Sequence, residues 1–537
     1  MKQYHRRDFL RFAGVGAAGA ALDFPRLGKS APADFQGLEK NPPAADPVAG
    51  GPRRFNVLFL MTDQHHAAWL GCAGHPFVKT PNLDRLAQGG IRFSQMYSPV
   101  PYCSPTRAAI VSGCYPSSLG IGRNIDEHNS KDPLALHEPV ATYMHHLAAE
   151  GYHCHQLGKW HLGDPGALSC YPDAEADGTN SSKLYHGRLR AAGSKAFDDG
   201  PRPGEVELFR DVYLRKEIVA ARQQVAQRGK MPKQEGALTT GRSRIKPEFQ
   251  YESALADYCV DLLKRHQHEP FAITYSVSPP HPANIVPAPY YDLYDPARLP
   301  LPATWAAPSP AWQDSISGHV GHAFGEAGLR EFLRCYSAQV TMMDAFIGRI
   351  LDALEALKLA DHTLVIFTSD HGNMLGQHAL VDKAVGAFYD DLIHVPLLMR
   401  LPGTIPAGIV CEHIATSMDL APSILDYVGA KPLEKIHGRS LRGVLASTRP
   451  DQSAVFCERS EANSKTTARM IRTRQWKLAL HTDNPPELYN LEQDPEEITN
   501  VVGVAANGMA LQTLKQQLRE HMHAVGDRTA YEKLRQV

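Results

Sequence analysis

The chain has 537 residues, 43% hydrophobic and 21% charged, enough for one large α/β domain with an appendage or for more than one domain. Its 56 basic and 57 acidic side chains leave a net charge of -1, which excludes nucleic-acid binding as the main activity because no basic excess exists to meet phosphates. The nine cysteines (72, 103, 114, 154, 170, 259, 335, 411, 457) are scattered and form no CxxC pair, which excludes a disulfide framework and a thiolate zinc site.

The amino terminus reads as a targeting segment. Arg6-Arg7-Asp8-Phe9-Leu10 precedes a small-residue apolar run from Phe12 to Leu22, too short to span a bilayer, and Ala31-Pro32-Ala33 offers a cleavage site. The paired arginines and the Phe-Leu behind them look like a twin-arginine signal, which predicts export of a folded protein to a periplasmic or secreted address. The alternative is a basic, disordered terminus. Residues 1–33 are assigned to the signal and the Pro-, Ala- and Gly-rich residues 34–53 to a linker. No other long apolar run predicts membrane insertion after signal removal.

Phe55 to Met61 is a continuous apolar run of strand length, typical of a parallel strand buried on both faces, and it ends in Thr62-Asp63-Gln64. Ligand-binding groups gather beyond the carboxyl ends of strands in an open parallel sheet, and Asp63 and Gln64 are hard oxygen ligands suited to Ca²⁺ or Mg²⁺. Taken alone, the pair reads better as a polar strand end capping the next turn. Thr80 to Ala87 predicts a short helix capped by Asn82 or Thr80. Ile91 to Tyr97 predicts one strand leading to Cys103-Ser104-Pro105-Thr106-Arg107, with an apolar, helix-like run to Gly113 behind it. A side chain at a helix start faces free N–H groups and the positive dipole end, which favour an anion, and Arg107 lies one turn on from Cys103. A buried Cys is otherwise a small hydrophobe. Asn124, just past that helix, is a candidate pocket residue.

A helix from Val140 to Glu150 ends at Gly151 and precedes a strand from Tyr152 to Leu157. Gly158-Lys159-Trp160-His161-Leu162-Gly163 follows, and in an extended segment Lys159 and His161 share a side. Residues 164–244 are polar, with one helix-like piece from Val206 to Gln227, and read either as an insertion over the active face that sets substrate choice or as a mobile surface loop. A helix from Glu248 to His266 leads to the strand Phe271–Ser278, which ends at Pro279-Pro280-His281-Pro282. A long helix, Leu329 to Leu357, feeds the strand Thr363–Thr368, which delivers Ser369-Asp370-His371-Gly372. Lys383 follows in a loop, and Val395 to Arg400 is a further strand. Asp419 caps a short helix with Pro422 in its first turn. Short alternating segments at 468–472, 476–480 and 487–491 predict a small antiparallel sheet, and Met509 to Val525 a closing helix.

Five of these segments resemble the signatures of the type I sulfatases of the alkaline phosphatase-like superfamily, in the family's order along the chain. Cys103-Ser104-Pro105-Thr106-Arg107 resembles Cys-x-Pro-x-Arg, whose Cys is oxidised to formylglycine after synthesis; Ser112-Gly113 resembles the Thr-Gly that follows, and Cys114 stands where an Arg is usual. Asp63-Gln64 is similar to the pair in choline-sulfatase-like and phosphonate-monoester-hydrolase-like branches, where many sulfatases carry two Asp. Gly158 to Gly163 resembles the family's Gly-Lys-Trp-His-Leu-Gly, Asp370-His371 its second metal pair, and Glu487 to Pro495 its carboxy-terminal segment.

The resemblance implies an α/β/α sandwich with a large, mostly parallel central sheet over residues 54–430, and a smaller carboxy-terminal domain of antiparallel sheet and helix over 431–537. It implies one divalent metal, Ca²⁺ by family expectation with Mn²⁺ or Mg²⁺ as alternatives, on Asp63, Gln64, Asp370, His371 and the product of Cys103. Arg107, Lys159 and Lys383 would offset charge on the transferring oxygens, His161 would bond the hydrated nucleophile, and His281 would protonate the leaving oxygen. A thiol suits hard oxygen ligands poorly, whereas a hydrated formylglycine suits them well. The expected reaction is hydrolysis of a sulfate ester on a small molecule or carbohydrate, after maturation by a formylglycine-generating enzyme acting before export. Two rivals stand beside it: a phosphonate monoester or phosphodiester hydrolase, which Gln64 allows and Lys159 opposes, and a non-catalytic binder of sulfated glycans with an unmodified Cys103.

Overall fold

The computed structural model describes residues 54–125, 135–136, 140–164, 168–171, 183–185, 206–208, 240–243, 245–306, 316–383, 387–446, 453–460 and 467–534. The targeting segment and linker lie outside these residues, as does most of the 164–244 insertion.

Seven strands form the main sheet: β1 (Asn56–Asp63), β2 (Ile91–Phe93), β4 (His153–Gly158), β7 (Phe271–Pro280), β9 (Thr363–Ser369), β10 (Leu397–Arg400) and β11 (Ile409–Cys411), in the order β11-β2-β10-β9-β1-β7-β4. β9, β1, β7 and β4 run parallel, β2 and β11 run parallel to each other, and β10 alone opposes its neighbours. Successive side chains of a strand leave opposite faces. Thus Val57, Phe59 and Met61 join one core with the helices α2 (Cys103–Ser112), α3 (Tyr143–Ala149) and α6 (Leu420–Val428). Leu58 and Leu60 join another with α1 (Pro81–Gln88), α4 (Tyr251–Arg265) and α5 (Ile316–Ala356). Both faces are covered, which is why β1 reads as an unbroken apolar run.

β3 (Met96–Tyr97) and β12 (Ala415–Thr416) make a two-stranded pair. The segment from Ile91 to Tyr97 is therefore two short strands, β2 pairing in the main sheet and β3 outside it. β5 (Val206–Leu208), β6 (Thr240–Ser243) and β8 (Asn284–Pro287) form a three-stranded sheet. Val206–Leu208 thus begins with strand pairing instead of the expected helix, and the rest of that expected helix lies outside the described residues. The span of α5 holds two helical pieces broken at Gly325 (φ 60°), and the long piece after the break agrees with the helix expected from Leu329 to Leu357.

Two caps differ from the sequence reading. Thr80 precedes α1 without a side-chain cap; instead Asp344 accepts the N–H groups of Asn82 and Leu83. Asp419 bonds back to the N–H of Thr416 in a capping box and accepts from Arg439, so it closes the turn before α6.

The remaining strands, β13 (Ala454–Ser460), β14 (Thr467–Thr473), β15 (Trp476–His481) and β16 (Glu487–Asn490), form an antiparallel meander. One face packs Val455, Met470 and Ala479 onto Tyr97, Met374 and Ile393; the other packs Ile471, Leu478 and Leu488 onto α7 (Gly508–Ala524) and α8 (Arg528–Leu534). Between the sheets Asp390 accepts from Arg472 at 2.8 Å and Lys477 at 2.5 Å, and Lys477 reaches Glu497 at 2.6 Å. Among the described residues no helix is long and apolar enough to cross a membrane.

Candidate active site

β1 lies between β7 and β9, so the three carboxyl ends bring Asp63, His281 and Asp370-His371 to one rim. α2 begins at this rim. All ten of its residues are buried, Gly113 closes it in the left-handed conformation (φ 71°), and Asn124 Oδ1 accepts the N–H of Ser104 at 3.1 Å, satisfying one free donor of the first turn. Cys103, the first helical residue, is held at 0% exposure.

Cys103 Sγ lies 3.2 Å from His371 Nε2, 3.2 Å from Lys383 Nζ and 3.7 Å from Asp63 Oδ1. Arg107 does not reach toward the sulfur but ties the two strand ends together. It donates through Nε to Asp370 Oδ2 (2.9 Å), through Nη2 to Asp63 Oδ2 (3.1 Å), and through Nη1 to Ser276 Oγ (2.9 Å) and the Lys159 carbonyl (2.8 Å). Lys159 Nζ adds a second cation to Asp63 Oδ2 at 2.8 Å. Lys383 Nζ also donates to His281 Nε2 at 2.9 Å, and His281 Nδ1 lies 2.5 Å from the Pro282 carbonyl.

Gly158 (φ 78°) and His161 (φ 59°) both turn left-handed, so the segment that carries Lys159 and His161 is not the regular extended chain expected. His161 Nε2 lies 3.1 Å from the carbonyl of Ile125. Gln64 (φ 64°) and Asp382 (φ 61°) are strained in the same way and meet through Gln64 Nε2 and Asp382 Oδ1 at 2.5 Å. Such conformations cost about 1–3 kcal/mol each and persist where surrounding contacts impose them.

The charges interact strongly. Burial pushes Asp63 up, but Lys159, His281, Arg107 and His371 outweigh it and hold the carboxyl well below its usual range. Burial and the neighbouring Asp63 raise Asp370. Burial and Asp63 push the Cys103 thiol up, yet Lys383, Lys159 and His371 bring it well below the ordinary thiol range. The site therefore stabilises an anion at position 103.

Asp63, Cys103, Asp370 and His371 each offer a donor atom, all within 4.8 Å of one another and all buried. His371 Nδ1 donates to the Gly372 carbonyl at 2.9 Å, which turns Nε2 toward this cluster, 3.8 Å from Asp63 Oδ1 and 3.9 Å from Asp370 Oδ1. Gln64 Oε1 is buried with no hydrogen-bond partner among the described residues, a costly state that a cation removes. Two carboxylates, an amide oxygen and an imidazole fit a hard divalent ion; the thiol sulfur stands where an oxygen would complete the set.

Sequence reasoning missed Ser276 and Asp382. Ser276 is one polar residue inside an apolar strand, and Asp382 adjoins Lys383; neither carries a motif, and only the fold shows their partners.

A covered, mostly parallel sheet with a buried carboxylate–imidazole cluster at its carboxyl rim and a nucleophile position at a helix start defines a hydrolase of the alkaline phosphatase-like superfamily. The family model "Sulfatase" matches residues 55–430, and that of the carboxy-terminal region of N-sulphoglucosamine sulphohydrolase matches residues 376–524. The chain belongs to the sulfatase family and is a sulfuric ester hydrolase. It is 27% identical over 490 residues to the ulvan-active sulfatase of Formosa agariphila, covering 89% of this chain and 82% of the relative. It is 26% identical over 537 aligned positions to the N-acetylglucosamine-6-O-sulfatase of Bacteroides thetaiotaomicron, covering 91% and 90%. Among solved structures, the phosphonate monoester hydrolase SpPMH from Silicibacter pomeroyi superposes with a TM-score of 0.70 at 25% identity, covering 89% of this chain and 96% of that one.

Proposed function

We propose that this chain is a formylglycine- and Ca²⁺-dependent sulfatase that removes sulfate from a carbohydrate. The observation that carries this reading is the convergence of Cys103, Asp63, Asp370 and His371 on one buried point ringed by Arg107, Lys159 and Lys383. Asp63, Gln64, Asp370 and His371 would hold the ion, which would supply Lewis-acid stabilisation of developing negative charge. Oxidation of Cys103 by a maturation enzyme with an external oxidant, with loss of the thiol sulfur, would give an aldehyde; one hydroxyl of its hydrate would attack sulfur and displace the alcohol from the ester S–O bond, and the second would then lose its proton, re-form the aldehyde and release sulfate, a route closed to Ser.

The chain's own groups then divide the work. Lys159 and Lys383 supply positive charge to the sulfate oxygens, and Arg107 keeps both carboxylates in register. The Lys383–His281 pair shares a hydrogen bond at 2.9 Å and is the proton source for the leaving oxygen. The two relatives named for ulvan and N-acetylglucosamine sulfate support a carbohydrate substrate, and the twin-arginine-type segment supports export to the periplasm or beyond.

The test pairs activity with chemistry. Protein from its native host should carry an aldehyde mass on the peptide containing residue 103 and hydrolyse aryl and sugar sulfates, and Cys103→Ala should abolish turnover. Full activity in Cys103→Ala sinks the reading. A second reading, phosphonate monoester hydrolysis at the same site, draws on Gln64 and the likeness to SpPMH. A higher kcat/KM on a phenyl phosphonate ester than on the matched sulfate would select it.

A further inference from the structure

Histidines outside the catalytic centre gather at the opposite end of the sheet. His153 and His155 stand two residues apart on β4, so their side chains leave the same face. His266 caps the carboxyl end of α4, and Glu269 follows just before β7. His153 opens β4 opposite Phe271, the first residue of β7, whereas Lys159 follows the far end of β4. At about 3.3 Å per strand residue, roughly 20 Å separates this cluster from the catalytic rim.

Its geometry is that of a chelate. Glu269 Oε2 lies 3.3 Å from His153 Nε2 and 3.2 Å from His266 Nδ1, and the three donor atoms fall within 4.8 Å of one another. Ligand atoms around a tetrahedral Zn²⁺ are about 3.3–3.4 Å apart, from bond lengths of about 2.0–2.1 Å, so both imidazole–carboxylate edges already have zinc spacing. The His153 and His266 rings stack 4.3 Å apart at 22°. The other nitrogen of His266, Nε2, meets Nε2 of buried His155 at 3.1 Å, the outer hydrogen bond that fixes the tautomer and plane of a ligating imidazole. The carboxyl end of α4 adds its negative dipole end beneath the cation.

We propose that His153, His266 and Glu269 form a second metal site, selective for Zn²⁺, with His155 as its positioning residue. Two nitrogens and one oxygen suit a borderline ion, in contrast to the hard oxygen set of the catalytic centre. His153 and Glu269 are half-exposed, so the ion enters from solvent, and a tetrahedral ion held by three side chains keeps its fourth position on that side. Binding ties the edge strand β4, which Lys159 follows, to the turn between α4 and β7, and so raises the melting temperature by mass action.

The experiment titrates Ca²⁺-saturated full-length protein with Zn²⁺ by calorimetry, and with Co²⁺ while following visible absorption. The expected result is one Zn²⁺ equivalent and the intense absorption of tetrahedral Co²⁺. Both should vanish in His153→Ala and in Glu269→Gln, two surface changes that leave the melting curve without zinc intact. His155→Asn should weaken Zn²⁺ about 10–100-fold. Absence of the equivalent in the parent protein, or its retention in either ligand variant, overturns the proposal.

Discussion

Replacing Arg107 with Lys tests whether its hydrogen bonds, beyond its charge, build the catalytic centre. The guanidinium makes four bonds at 2.8–3.1 Å, to Asp63, Asp370, Ser276 and the Lys159 carbonyl, from a position with 2% exposure. An ammonium keeps the charge but is a point donor on a shorter stem, and it spans about two of these four acceptors. Losing two charge-assisted bonds costs about 3–6 kcal/mol gross, at about 1.5–3 kcal/mol each. If half of that appears as misplacement of the two carboxylates, about 1.5–3 kcal/mol, then Ca²⁺ affinity and kcat/KM each fall roughly 10- to 100-fold. The assay is aryl sulfate hydrolysis across a Ca²⁺ titration, on variant protein whose circular dichroism matches the parent. Retention of both quantities within threefold would refute the argument and reduce Arg107 to a counter-charge.

Gln64→Ala should weaken Ca²⁺ about tenfold by equilibrium dialysis, since it removes the one buried oxygen of the cluster that has no protein partner among the described residues. Gly158→Ala should cost more than about 2 kcal/mol in urea unfolding, because φ is 78° and a Cβ would meet the Ser276 carbonyl at 2.1 Å. Asp390→Asn should cost about 3–5 kcal/mol, because it strands Lys477 and Arg472 without their shared carboxylate. Burial raises Asp390, but Arg472 and Lys477 outweigh that and hold its carboxyl below the usual value of 3.8. Its contribution is therefore complete above that pH and lost as pH falls below it, so the variant should show a shallower acid limb in stability against pH.

The central sheet was legible because burial on both faces makes β1, β7 and β9 mostly apolar runs, and their carboxyl ends carry the polar residues that a parallel sheet collects. Strand direction was not legible for the same reason. β10 is as apolar as its neighbours yet runs against them, and nothing in a doubly buried run records orientation. The motif at Cys103 located the nucleophile position, but spacing alone set Arg107 beside Cys103 and its substrate oxygens; its partners arrive from residues 63, 276 and 370. The period-two argument for Lys159 and His161 presumed an extended chain, and the left-handed residues Gly158 and His161 break that premise. Val206–Leu208 pairs as strand because a neighbouring strand outweighs weak helical periodicity.

The pairing of β1 with β9 has a consequence in time. Asn56 aligns with Thr363, so about 300 residues must be synthesised after the first strand before its partner exists. Until then the rim has neither Asp370 nor His371, and the Cys103 segment has no finished pocket to close over it. Once the sheet is complete, Cys103 is at 0% exposure and set in a helix, beyond the reach of another enzyme's active site. The topology thus acts as a clock: under the proposed maturation, chemistry on Cys103 would have to precede completion of the sheet.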